Sequence, residues 1–256
     1  MDQIIKVIIT FITGGAAWEG FKFFSPTVKR YFDTRRTAIN SFYQHLDPIL
    51  KSASELYGKL ESLAKEDFST FINPSNSNSV NTDQNKKYVL YLFSQFWAQL
   101  EHLRNESQYS SLARIEKGRQ LLQFIDTFES RKFRILDRSM QRIIGECLIA
   151  QKDQKFRVLT LNEFIIQYED SSSNLHNRVK DLERPLLAVI DKEKRQKILT
   201  YGVVVAALID HFDPKYKTVR RRRIYLNKLN PKSKKIIKDQ LLGHYIPFIN
   251  NKERYY

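Results

Sequence analysis

The residues best placed to do chemistry fall in two short runs. Arg142 and Glu146 stand four apart, so a helix puts them on one face, with Gly145 between them. Asp210-His211-Phe212-Asp213 gathers three polar side chains just before Pro214. If Arg142, Glu146, Asp210 and His211 converge, they make a polar pocket able to hold an anion and move a proton. Each run also has a plain structural use. His211 suits the dipole at a helix C-terminus, and Asp213 suits a cap on the turn at Pro214. Arg134, Arg138 and Arg142 repeat every four residues. That spacing fits a solvated basic stripe, the preferred reading, or else an anion site or a buried ion pair between helices. A Gly inside a helix costs about 1 kcal/mol against Ala, so Gly145 points to close backbone packing.

Several chemistries are excluded outright. Gly14-Gly15 is followed by no GK[ST], which removes a P-loop, and neither HExxH nor GxSxG occurs. The single cysteine rules out a disulfide framework and any Cys-based zinc or iron–sulfur site. Cys147 falls on an apolar stripe and reads as a small core residue. His102 and Glu106 share a helix face at i and i+4, as metal ligands do, but Arg104 and Asn105 beside them fit an ordinary surface pair. No metal or cofactor is expected, and a catalytic role is the lesser expectation.

Charge is the more informative signal. The chain carries 43 basic and 28 acidic side chains, a net charge of +15. Residues 211–256 alone hold 13 basic and 3 acidic ones. The cluster comprises Lys215, Lys217, Arg220, Arg221, Arg222, Arg223, Lys228, Lys232, Lys234, Lys235 and Lys238. Tyr216, Tyr225, Ile236, Ile237, Leu241 and Leu242 interleave with it, so the segment at 215–238 is expected to pack and not to hang free. Such a cluster neutralises phosphates of nucleic acid or anionic lipid headgroups, or is simply a solvated face. No zinc finger, RNP or helix-turn-helix pattern accompanies it.

The elements that position these residues read as helices. Gly and Pro number only 8 and 7, and no alternating strand pattern of useful length appears. Ser25-Pro26 reads as a break, with Pro26 in the first turn of a helix running to about His45, and Ile49, Leu50, Ala53, Leu56, Tyr57, Leu60, Leu63 and Ala64 make the strongest periodic seam, starting at Asp47-Pro48. An Asn/Ser-rich polar loop is expected at 73–85, then a helix over 86–106 buried through 89, 92, 93, 96, 97, 100 and 103. Further helices are expected at 110–128, at 137–151, after the Thr160–Glu163 capping box, at 172–192 with an interruption at Pro185, and at 197–212, the last a core helix ended by Asp213-Pro214. Asn230-Pro231 starts the final helix and Gly243 is placed to stop it.

The N-terminus reads as an anchor. Ile4–Phe24 is mostly apolar but its uncharged core is only Val7–Trp18, so crossing a bilayer requires Lys6 and Lys22 to snorkel. Lys29, Arg30, Arg35 and Arg36 come next and place the C-terminal side in the cytoplasm. A buried N-terminal core helix is the rival reading, with a signal peptide or an interfacial helix behind it. The expected architecture is therefore all-α, a single-pass transmembrane helix at 1–24 followed by a multi-helix bundle at 25–256.

The layout resembles a loose group of uncharacterised bacterial proteins with an N-terminal membrane anchor and an all-helical cytoplasmic domain. The likeness rests on the anchor with its basic flank, on Tyr88–Phe93 (YVLYLF), on Arg142–Glu146 (RIIGE) and on Leu208–Pro214 (LIDHFDP). It implies fold and location and assigns no activity or site residue. Together these readings predict a membrane-anchored, non-enzymatic interaction or scaffolding protein that meets anionic membrane lipid through its basic segment and has a protein partner. A nucleic-acid-binding protein using the same residues is the alternative, and an enzyme with the four-residue polar pocket is the third reading.

Overall fold

The computed structural model describes residues 15–72, 79–105, 109–152, 155–220 and 224–256. Among the described residues the fold is all-α apart from one small hairpin. Helix α1 (Gly15–Lys65) is followed by α2 (Ser79–Asn105), α3 (Glu116–Glu129) and α4 (Arg138–Cys147). Strands β1 (Ile149–Lys152) and β2 (Lys155–Val158) pair antiparallel, with Ile149 opposite Val158. Then come α5 (Leu161–Glu169), α6 (Asn174–Leu187), α7 (Lys192–Phe212) and α8 (Pro231–Lys235), the last running on as a π-helix over Ile236–Tyr245. One buried cluster reaches from Phe42 to Tyr255.

Helix α7 is the axis of this core. Ile198 through Ile209 are buried without a gap, so that stretch of the helix has no polar face. It packs against α1 and α3. Its polar atoms are met inside: Trp97 Nε1 donates to Tyr201 Oη at 2.9 Å, and Tyr225 Oη donates to the Leu199 carbonyl at 3.0 Å. Gly202 leaves the room for that tyrosine, since a Cβ there would lie 1.9 Å from Tyr225 Oη.

The seam of α1 is buried as its periodicity demands, with Ile49, Leu50, Ala53, Leu56, Tyr57, Leu60, Leu63 and Ala64 all in the core. The expected helix starts at Pro26 and Pro48 are corrected, because α1 passes through both without a break. An interior proline costs about 3 kcal/mol. Burying Leu46, Ile49 and Leu50 around Pro48 returns about 1.5–3 kcal/mol each, so packing prevails there. Positions 4–14 of the expected anchor lie outside the described residues. Among the described residues no helix is long and apolar enough to cross a membrane.

Other boundaries shift for local reasons. The polar stretch at 73–85 is not all loop, since α2 already begins at Ser79. Lys87 bonds Asp83 at 2.6 Å across one turn and Glu169 at 2.8 Å, while Lys59 donates to Asn85 at 2.8 Å, and these ties support the added turns. The helix expected at 110–128 is split by an extended Ile115 into a 3-10 turn at Tyr109–Arg114 and α3. The helix expected to reach 151 stops at Cys147, where the hairpin takes over. Pro185 lies inside α6 and does not interrupt it, the break coming instead as a 3-10 turn at Ala188–Ile190. Gly243 stops nothing, for the π-helix runs on to Tyr245 and closes with Ile246 N donating to the Leu241 carbonyl, five residues back, at 2.8 Å.

Gly145 does what a helical glycine at a helix crossing should. A Cβ there would meet the Trp97 carbonyl carbon and oxygen at 2.9 Å, so α4 and α2 touch backbone to backbone. At an exposed helical site Gly→Ala stabilises by about 1 kcal/mol. Here Gly145→Ala is expected to destabilise by about 1–3 kcal/mol, lowering the thermal midpoint by about 2–4 °C per kcal/mol. A raised midpoint would show that the helices do not cross at this residue.

Candidate functional site

The basic segment begins where α7 ends, and a single carboxylate shapes it. Asp213 is 5% exposed and caps α7. Its Oδ1 accepts from Lys217 N at 2.8 Å, and its Oδ2 accepts from Thr218 N at 2.8 Å and Val219 N at 2.9 Å. The Asp213 carbonyl accepts from Tyr216 N, and Tyr216 adopts a left-handed backbone with φ of 50°. The loop is thus wound around one acid, and it presents Lys215 and Lys217 to solvent. The capping role expected for Asp213 is found.

One turn earlier, Asp210 gathers the C-terminus of the chain. It accepts from Tyr216 Oη and Tyr255 Oη, each at 2.7 Å, and pairs with Arg254 at 3.1 Å. Arg254 also donates to Tyr216 Oη at 2.9 Å. Burial first, and the neighbouring Asp210 second, push the Tyr255 phenol well above its ordinary value, so it stays a donor. These groups line a cavity of about 270 Å³ with His211 and Asn251, the latter also left-handed with φ of 50°. His211 Nε2 lies 2.9 Å from Gln120 Oε1, and the ring packs against Phe124 and Phe248. Burial, helped by the charge of Lys117, lowers its pKa below the ordinary imidazole value. His211 is thus held by Gln120 on one side and by the aromatic rings on the other.

The expected convergence of Arg142, Glu146, Asp210 and His211 is not found. Arg142 is captured by Glu129, with Nε to Oε1 at 3.0 Å and Nη2 to Oε2 at 2.8 Å. Arg138 reaches the same carboxylate at 2.7 Å and Arg104 also bonds it, while Arg104 bridges to Glu101. Glu146 is exposed. His211 sits beside Gln120 at one end of α3 and Arg142 beside Glu129 at the other, nine residues or about 13 Å along the helix. The preferred solvated stripe is likewise corrected. Arg138 and Arg142 converge on the buried Glu129 carboxylate, Arg138 with its side chain still half exposed, and Arg134 turns aside to Asp137. Glu129 was the missed residue. The signal was its place on the apolar stripe of α3, four residues after Ile125, where a carboxylate needs cations beside it.

The two acids of the hub answer burial differently. Burial pushes the Glu129 carboxyl up, but the Arg142 hydrogen bond and the charges of Arg104, Arg142 and Arg138 outweigh it and hold the group below its ordinary value. At Glu101 burial is only partly offset by Arg104 and Arg142, and the carboxyl stays above its ordinary value.

The remaining basic residues are placed singly. Lys228 bonds Asp67 at 2.8 Å, Lys232 lies 3.6 Å from Glu193, and Lys238 stands over the Tyr256 ring. Lys215, Lys217, Arg220, Lys234 and Lys235 have no acidic partner among the described residues, and Arg221, Arg222 and Arg223 lie outside them. Among the described residues no group of three His, Cys, Asp or Glu is placed to hold a metal. Compared with known proteins, the chain gives no significant match to a protein-family model, a curated protein or a solved structure.

Two outcomes are expected. Asp213→Ala leaves three backbone N–H groups without their acceptor, at about 1–3 kcal/mol each where buried. Trypsin should then cut at Lys215 and Lys217 much faster than in the parent, and an unchanged digestion rate would show that the loop does not depend on this acid. Glu129→Gln strands the guanidinium groups and should cost about 3 kcal/mol at neutral pH. Because the Glu129 pKa is depressed by folding, its contribution is full above the ordinary value of 4.5 and is lost as pH falls through the lower folded value. The variant should therefore show a flatter acid limb in thermal midpoint against pH, and a limb as steep as the parent's would count against the hub.

Proposed function

We propose that the protein is a non-enzymatic helical module, held at a membrane by its N-terminal segment, whose basic C-terminal segment meets anionic lipid. The observation that carries this reading is the uneven pairing of charge. Arg104, Arg138 and Arg142 gather on Glu129, and Arg157 of β2 pairs with Glu163. Lys215, Lys217, Arg220 and Lys235 are exposed and have no such match among the described residues. The loop that bears the first two is held by the Asp213 clamp, so the charges are displayed on a fixed surface. Near an anionic leaflet each basic residue contributes about 1 kcal/mol.

The N-terminal apolar run with its basic flank supports the membrane attachment, and a tether favours lipid over nucleic acid by proximity.

Replacing Arg220–Arg223 by Ala should weaken binding to phosphatidylglycerol vesicles by about tenfold or more, with the helical signal unchanged. Unchanged vesicle binding overturns the lipid reading. Equal, salt-dependent binding of the parent to duplex DNA favours the nucleic-acid alternative instead. Fractionation tests the attachment: full-length protein should stay in the membrane pellet through high salt and alkaline carbonate, and release by salt alone would show that the basic surface does the holding.

A further inference from the structure

A second surface, where α6 passes into α7, also combines cations with apolar area. The 3-10 turn Ala188–Ile190 joins α6 to α7, and it leaves Leu187 46% and Ile190 62% exposed. Both are large side chains that a closed core would cover. Beside this turn opens a cavity of about 320 Å³. Its apolar lining is Ile135, Pro185, Ala188 and Ile198, and its polar lining is Arg184, Lys194 and Lys197, all cationic. The volume is at the small end of ligand pockets, which run from about 300 to 1,000 Å³.

The cations have little to hold them elsewhere. Arg184 approaches Asp181 only at 3.6 Å and its side chain is 85% exposed, a pair worth little in water. Lys197 donates to the Ile135 carbonyl at 3.4 Å. Lys194 is exposed and has no acidic partner among the described residues. Arg134 adds a further charge near Lys197, and Asp137 takes up that one. The cavity thus offers an apolar wall to a chain and several N–H donors to a negative headgroup at its mouth.

We propose that this cavity receives the acyl chain of an anionic amphiphile, a fatty acid or an acidic phospholipid, whose headgroup is bound by Lys194, Lys197 and Arg184. Ile190 and Leu187 lie against the surrounding chains when the ligand is presented from a bilayer. The site does not depend on Arg220–Arg223, so it stands or falls apart from the basic C-terminal segment.

The test is photolabelling of the full-length protein in phosphatidylcholine vesicles. The probe is a diazirine-bearing fatty acid, compared with the corresponding neutral alcohol. The acid should label peptides between Pro185 and Lys197, and the alcohol should label them at least about tenfold less, since charge-assisted hydrogen bonds contribute on that scale. Competing unlabelled fatty acids should gain about fourfold in potency per added methylene until the cavity is full. Ala188→Trp fills the cavity and should abolish labelling. Lys194→Gln with Lys197→Gln changes only side chains at the cavity mouth, so it keeps the question open to measurement if the tryptophan variant fails to fold. Replacing Arg220–Arg223 by Ala should leave this labelling as it was.

A diazirine phosphatidylglycerol in the same vesicles separates the two sources. Labelling by both probes assigns membrane lipid, and labelling by the fatty acid alone assigns a free acid. Equal labelling by acid and alcohol, labelling centred elsewhere in the chain, or labelling indifferent to the lysine substitutions would overturn the proposal.

Discussion

A helix buried on all sides has to be enclosed before anything else in the molecule can be settled, and α7 sets that condition here. Twelve consecutive residues from Ile198 to Ile209 leave water together. Each large apolar side chain among them contributes about 1.5–3 kcal/mol, but only if helices close around it. The tyrosines make this closure specific. Tyr201 accepts from Trp97, and Tyr225 reaches over Gly202 to the Leu199 carbonyl while stacking on Tyr57. The basic loop and the C-terminal turn inherit their positions from α7, because Asp210 and Asp213 at its end organise both.

The hub around Glu129 works on a different scale. It joins α2, α3 and α4 through Arg104, Arg138 and Arg142. A buried pair of this kind adds little net stability over apolar packing, yet breaking it is costly, so it acts mainly to fix the arrangement. Its two carboxylates, Glu101 and Glu129, offset part of the charge of the three arginines. The excess of basic residues at 211–256 is what supports the anionic partner proposed for that segment.

The parts of the fold that were legible in the sequence are those set by local chemistry or by strong periodicity. The α1 seam, the buried face of α2, the Thr160–Glu163 capping box and the Asn230 cap with Pro231 at the first turn all appear as read. So does the end of α7 at Asp213-Pro214. What escaped was set by partners far along the chain. Pro26 and Pro48 signal helix starts, yet the helix continues. Lys59 and Glu169 support α2 from other elements, and no window of sequence shows that. Strands of four residues give too short an alternation to recognise. In the π-helix, Ile237 and Leu242 are both buried at a spacing of five, and Leu241 and the capping Ile246 repeat it, which a 3.6-residue template misreads. At the candidate site, Asp213 was readable as a cap because its partners are local. Arg142 was not, because Glu129 lies thirteen residues earlier on another helix.

The continuity of α1 has a consequence for orientation. Ala38 is the first buried residue described, and helix extends from it back to Gly15, about 35 Å of backbone at 1.5 Å per residue. A flexible linker would let the domain turn freely about its attachment. A helix instead couples the two in phase, so that whatever fixes the N-terminal segment also selects which face of the domain points back toward it. Inserting a single residue between Gly15 and Ala38 would turn that face by about 100°, bringing a different part of the surface around while leaving the domain itself intact.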